Sequence, residues 1–365
     1  MSSQPVPGSW KYLPAEIRTS ILTLLVQESE SLASFATVSP EWQSMVGHRT
    51  FSQITLTLND IEDFDRYTCR NRALVRFIRL SLSLRSYELD DKSSIGQSKS
   101  FYSTLSRWEP TGTLVLAISI DQAPSDLWCR SAYCSLSGNL GSNQPRKLVL
   151  LGNFHRTDED PDWPPRFPTS KLAEGLAHAS QGLEQLSVAY VVDASPFPQA
   201  CGTAPLEWPD LTSLTLTSCL FGPDTSAASI DDMIEQAAEV ARRMPKLEVV
   251  ELWNVRPGLA AAFIYRFPGP SRPAEIAWRG TWEYGPSPFV VRAWEAVALG
   301  RGGCNITPIV REILDGDLVE SDCDAIPQLK FLTEVAKSTS IGGVDWSEKW
   351  DDYEAGHCRE AVVCE

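Results

Sequence analysis

Two textures of apolar spacing divide the chain. Over residues 13–51 apolar positions recur at helical intervals; from about residue 74 they recur as apolar-x-x-apolar-x-apolar, the rhythm of a short strand. In the first part Ile17, Ile21, Leu24 and Leu25 keep one helical rhythm. Pro14 sits where a first helical residue needs no N–H, and Gln27-Glu28-Ser29-Glu30 breaks the run. A second short helix would turn Leu32, Phe35 and Ala36 inward. Ser39-Pro40-Glu41 is a fresh start signal, a serine cap followed by proline, for a third helix with Trp42, Met45 and Val46 on its apolar side.

In the second part, copies of the strand pattern stand at Val75-Ile78-Leu80, Leu183-Leu186-Val188, Leu211-Leu214-Leu216 and Leu247-Val250-Leu252, with a weaker copy at Leu148-Leu151. Helical spacing fills stretches between them: 97–107, 170–181 and 229–244. The last is the best-formed helix, with Ser229 as its expected cap, Asp231 and Asp232 in its first turn, Arg242 and Arg243 in its last, and Pro245 beyond. Strand, loop, helix and strand in repetition is the grammar of a leucine-rich-repeat solenoid, although the copies are unevenly spaced. The pattern fits a degenerate array or an α/β domain that mimics one. After about residue 256 the repeat fades, leaving one strand at 275–279 and a helix at 290–299.

Composition narrows the function classes. With 365 residues, 43% of them hydrophobic, the chain can bury a sizeable core. The formal net charge of −15 and the lack of any basic run disfavour nucleic acid and anionic membranes as partners. The N-terminal MSSQPVPGS has no signal-peptide pattern, and the longest apolar run, 259–265, is too short to span a bilayer. The expectation is a soluble chain of the cytoplasm or nucleus. The acidic stretch 312–324 and the tail from Asp345 suit a solvated end.

The motifs of known chemistry are missing. No phosphate loop, dinucleotide fingerprint, nucleophile elbow or His-Glu-x-x-His pair occurs. His48, His155, His178 and His357 lack patterned partners. Nine scattered cysteines include no Cys-x-x-Cys, and neither Cys129 with Cys134 nor His357-Cys358 with Cys364 completes four ligands. Carboxylate pairs such as Asp90-Asp91 and the run Asp158-Glu159-Asp160 read as solvated loops. No cofactor, metal or catalytic residue is expected. Trp208, Trp253, Trp278 and Trp282 are core residues if buried and binding anchors if exposed.

Leu13-Pro14, Glu16-Ile17, Ile21-Leu22, Leu32-Ala33, Val38-Ser39 and Trp42 follow one another in the order of a known module. Residues 10–51 resemble the F-box, most nearly that of filamentous fungi. The F-box is a three-helix unit that docks a Skp-family adaptor, and through it a cullin, in SCF-type ubiquitin ligases. The resemblance implies an α+β chain, with a small N-terminal three-helix F-box followed by an irregular α/β leucine-rich-repeat-like solenoid. It implies adaptor contacts by Leu13, Pro14, Ile17, Ile21, Leu22, Val38 and Trp42, and no catalysis by the chain itself. Residues 52–73 would connect this module to a substrate-holding region at 74–300, and 301–365 would form an acidic C-terminal segment. The apolar arc of the first helix agrees, being wider than a single core-facing stripe requires. The alternative is a repeat scaffold, outside any ligase, with these helices as its N-terminal cap.

Overall fold

The computed structural model describes residues 10, 13–28, 32–83, 114–121, 146–153, 170–198, 206–303, 305–320 and 322–333. The chain packs as two units, Met1–Ser218 with Met233–Leu247, and Cys219–Asp232 with Glu248–Glu365. Strands and helices alternate, and most strand pairs are parallel, so this is a mixed α/β chain. The expected helix at 97–107 and the tail from Asp345 lie outside the described residues.

The first unit opens on three helices, α1 (Ala15–Glu28), α2 (Ala33–Ala36) and α3 (Pro40–Ser52). Ser39 caps α3 as its sequence predicts, its Oγ accepting from Trp42 N at 3.4 Å with Pro40 at the first helical position. No residue separates α3 from strand β1 (Gln53–Leu56). Residues 52–73, expected to be a connector, therefore carry β1 and helix α4 (Ile61–Thr68). Ile61 and Phe64 of that helix are buried. Five polar or charged positions, Glu62, Asp63, Asp65, Arg66 and Thr68, in the eight residues of α4 hid it from an apolar reading.

Five further parallel strands follow in this unit: β2 (Phe77–Ser83), β3 (Val115–Asp121), β4 (Lys147–Asn153), β5 (Gln185–Asp193) and β6 (Ser213–Thr217). Each pairs with the strand before it in the chain, so spatial order equals sequence order from β1 to β6. Register puts the repeated apolar positions side by side. Ile54, Ile78, Leu116, Leu148, Leu186 and Leu214 form one row. Leu56, Leu80, Ile118, Leu150, Val188 and Leu216 form a second, every member buried. The first apolar residue of each strand pattern (Val75, Leu183, Leu211) lies just ahead of its strand and is fully buried. Helix α5 (Ser170–Ala179) packs Ala173, Leu176 and Ala177 inward, as its spacing requires.

The ladder between β5 and β6 breaks after Val188 and resumes at Asp193. Tyr190 in this bulge has φ 58, in the left-handed region that a side chain with a Cβ seldom occupies. Its N–H donates to Thr217 Oγ1 at 2.7 Å. The bulge is closed by Asp193, whose Oδ1 accepts from Ser195 N and Ser195 Oγ, both at 2.9 Å, and from Ser218 Oγ at 3.1 Å.

Helix α6 (Ala227–Ala241) has its residues 227–232 in the second unit and the remainder in the first. It starts earlier than expected. Its cap is Ser226, whose Oγ accepts from Ser229 N at 3.1 Å, and not Ser229, which lies inside the helix. Ala227 and Ala228 are strong helix formers and extend the first turn backwards.

The second unit holds β7 (Val249–Arg256), β8 (Leu259–Arg266), β9 (Glu275–Gly280), helix α7 (Pro288–Leu299), β10 (Val310–Ile313) and helix α8 (Asp322–Leu329). Strands β7, β8 and β9 are antiparallel neighbours, and β10 adds parallel to β9. Pro257 and Gly258, the latter with φ 75, make the two-residue turn of the β7–β8 hairpin. Trp253, Trp278 and Trp294 are buried, as is Trp208 in the first unit; Trp282 is half-buried. These tryptophans, apart from Trp282, fill cores. Buried Glu251 of β7 holds the segment after α8: it accepts from Leu332 N at 2.5 Å, Thr333 N at 3.3 Å and Thr333 Oγ1 at 2.6 Å.

Glu251→Ala would strand at least two buried donors, so a loss of about 3 kcal/mol is expected, with Glu251→Gln intermediate. Urea denaturation followed by tryptophan fluorescence reads both. On β10, Glu312 pairs with Lys330 at 2.5 Å and with Arg279 at 3.0 Å; its hydrogen bond from Lys330, aided by that from Arg279, lowers its pKa below the usual 4.5. A carboxylate depressed on folding stabilises above its unfolded pKa and loses that contribution as pH falls through the folded one. Hydrogen exchange of β10 amides should therefore quicken relative to β8 as pH drops below about 4.5, by more than in Glu312→Gln.

Candidate functional site

Two surfaces of the first unit carry features that packing alone does not require. The first is α1. Leu22 is 1% exposed and faces the helices' own core, with Arg18 and Leu25 half-buried beside it. Next to this arc runs a second one, Pro14, Ile17, Ile21 and Leu24, spaced by three and four residues. Ile17 is 48% and Leu24 56% exposed, Pro14 is exposed and Ile21 half-buried. One helix thus presents an inner and an outer apolar stripe side by side. Val38, 60% exposed, stands at the turn before α3.

Trp42 and Leu13 have different surroundings. Trp42 lies between Phe35, with ring centroids 5.7 Å apart and stacked, and Trp10, at 5.4 Å. Trp10 Nε1 donates to Glu41 Oε2 at 3.0 Å, and Arg18 Nε lies 3.4 Å from Glu41 Oε1. Leu13 is half-buried, its N–H donating to Trp10 O at 3.2 Å. Of the seven residues expected to meet an adaptor, Pro14, Ile17 and Val38 are exposed, Leu13, Ile21 and Trp42 are half-buried, and Leu22 is core. Leu24 completes the outer stripe, and its seven-residue interval from Ile17 carried that signal.

The second surface is the face of the parallel strands opposite the two aliphatic rows. Its side chains also fall into rows: Thr55, Arg79, Ala117, Val149, Ser187 and Thr215, and one step back Gln53, Phe77, Val115, Lys147, Gln185 and Ser213. These twelve positions include two cations and no carboxylate. Gln53 and Thr55 are exposed, Phe77, Arg79 and Lys147 half-buried, and Ala117, Val149, Ser187, Ser213 and Thr215 buried, so this face is open at β1 and covered from β3 onward. Arg79 Nε is buried without a hydrogen-bond partner, and loss of hydration lowers the guanidinium pKa.

No grouping of three or more His, Cys, Asp or Glu able to hold a metal occurs among the described residues. His48 and His178 are exposed. Cys129, Cys134, His357, Cys358 and Cys364 lie outside the described residues. Among those residues no helix is long and apolar enough to cross a membrane.

Strands β4 to β10 and helices α5 to α8 fall within one matched range: residues 143–337 match the Family of unknown function (DUF6546). The chain belongs to the DUF6546 family. The DUF6546 range takes in Lys147 and both aliphatic rows from β4 onward, and begins beyond residues 10–51 and Arg79. Membership assigns no activity, and none of the curated proteins compared with this DUF6546 member matches it.

The inner and outer arcs of α1 should separate in stability. Trp42→Ala empties the space between two aromatic rings and should cost roughly 2–3 kcal/mol. Ile17→Ala and Leu24→Ala should each stay within about 0.5 kcal/mol. Thermal denaturation followed by circular dichroism checks the difference.

Proposed function

We propose that the chain is a substrate-recognition adaptor of an SCF-type E3 ubiquitin ligase. Residues 10–51 would act as an F-box docking a Skp-family adaptor, and the following strands as an irregular leucine-rich-repeat-like region holding a target protein. The observation that carries this reading is the outer stripe Pro14, Ile17, Ile21 and Leu24. It is an apolar surface on a helix whose core-facing arc is already supplied by Leu22, and three of its four members, Pro14, Ile17 and Ile21, are among the residues that resemble the family pattern. Apolar anchors of this size contribute roughly 1.5–3 kcal/mol each when buried against a partner.

Strand order supports the repeat half of the proposal. In a doubly wound sheet the order reverses at a switch point, whereas β1 to β6 advance one strand at a time with aliphatic rows in register. The chain then needs no catalytic group of its own. It would raise the effective concentration of a substrate lysine beside a recruited enzyme, in the cytoplasm or nucleus.

One observation favours a second reading. Helix α3 passes straight into β1, and a Cβ on Gly47 would lie 3.7 Å from Leu74 Cδ1, so the helices pack on the start of the sheet as a cap would. Co-expression with a Skp-family adaptor and affinity capture distinguishes the two. The ligase reading expects capture by the wild-type chain and at least a tenfold loss in the Ile17→Asp/Leu24→Asp variant, with unchanged circular dichroism. The cap reading expects no capture, and unfolding of the remainder when residues 1–51 are deleted.

A further inference from the structure

We propose that the outer face of α7 is a homodimer contact, covered by the same helix of a second copy of this chain running antiparallel. The inference goes beyond the ligase reading and does not rest on it.

Ten of the twelve residues of α7 are apolar; Arg292 and Glu295 are its only charges. A helix that is apolar all round belongs in a core. Yet α7 is enclosed on one side only. Val290, Trp294, Val297 and Ala298 are buried, with the Trp294 ring centroid 5.6 Å from that of Phe263 and 4.4 Å from that of Tyr265 on β8. On the other side Phe289 is 64% and Leu299 57% exposed, and Pro288, Arg292 and Gly300 are exposed as well. Large apolar side chains at both ends of one open helix face mark it as a contact surface.

The order of residues on that face says what covers it. Helical spacing sorts them into two adjacent stripes: Phe289, Ala293, Ala296 and Gly300, and beside it Pro288, Arg292, Glu295 and Leu299. Read from either end, the second stripe is apolar, charged, charged, apolar, and the two charges are opposite in sign. A two-fold axis perpendicular to the helix keeps each stripe against its own counterpart and reverses its direction. Pro288 then meets the partner's Leu299, and Arg292 meets the partner's Glu295, each pair occurring twice. Both pairs fall in one registry, because Pro288 precedes Arg292 by four residues and Glu295 precedes Leu299 by four.

The first stripe fits the same registry. Phe289 of each copy stands over the partner's Ala296 and Gly300, where small side chains leave a recess for the ring. Arg292 lies over Phe289, 5.1 Å from its centroid, so cation and aromatic anchor are presented together. A parallel arrangement would set Arg292 on the partner's Arg292 and Glu295 on the partner's Glu295, and like charges reject it. A different protein has no reason to carry this alternation, whereas a second copy carries it by identity. Three turns of helix from each copy make an interface at the small end of the range, below about 1,200 Å² in total, so a reversible dimer with a Kd of roughly 10–100 µM is expected.

Sedimentation velocity of the full chain across that concentration range is the test. The wild type should pass from monomer to dimer. Arg292→Glu and Glu295→Arg should each weaken association at least roughly tenfold, by setting like charges opposite one another. The double reversal Arg292→Glu/Glu295→Arg restores complementary pairs and should bring association back to within about threefold of the wild type. Ala296→Gln fills the recess beneath Phe289 without changing charge, and it too should weaken association. A wild type that stays monomeric, a dimer indifferent to the single reversals or to Ala296→Gln, or a double reversal no stronger than the single ones overturns the proposal. Circular dichroism of each variant should match the wild type. Adaptor capture by Arg292→Glu should also match it, so failure of the dimer and failure of the ligase reading are separate results.

Discussion

Side-chain register across the parallel strands is the constraint on which the first unit depends. Adjacent strands can share one hydrophobic layer only if apolar residues fall opposite one another, and a slip of one residue would turn every such residue to the other face. Ile78 beside Leu116, Leu148, Leu186 and Leu214, with Leu80 beside Ile118, Leu150, Val188 and Leu216, meets that condition. The connections between them differ greatly: 24 residues from Ile54 to Ile78, 38 on to Leu116, 32 to Leu148, 38 to Leu186 and 28 to Leu214. Length is free to vary in the connections because the rows, and not the loops, fix how the strands pack.

The same fact explains what could be read from the sequence. The pattern at 183–188 and 211–216 was legible because three apolar residues per strand point into the core at fixed intervals. Strand β3 was missed: the position ahead of it that would match Val75 is polar, and its buried residues Leu116, Ala117 and Ile118 are consecutive and so show no alternation. Strand β8 is apolar throughout, 259–265, which erases the alternation that marks a strand; residues 260–265 are all buried, so both of its faces are covered. Helix α7 was located to within two residues. Its true start at Pro288 is set by Ser287, whose Oγ accepts from Val290 N at 3.4 Å.

Sites were legible only in part, for a related reason. A periodic apolar pattern identifies a helix, but it does not say which of two adjacent arcs meets the core. Leu22 and Ile21 are neighbours in the chain, yet one is core and the other belongs to the outer stripe. Trp42 illustrates the reverse: its large aromatic face is spent on Phe35 and Trp10 within the helices.

The junction between α3 and β1 has a mechanical meaning. Ser52 ends the helix, Gln53 begins the strand, and Arg76 N–H donates to Ser52 O at 3.0 Å, which ties the junction to the next strand. No hinge separates the helices from the first rung of the sheet. Each later strand then adds one lateral step of about 4.8 Å, so β6 stands about 24 Å from β1 along the ladder. Lateral position along the parallel strands is thus counted in whole strands from the helical end, and inserting or deleting one strand would shift everything beyond it by a fixed increment.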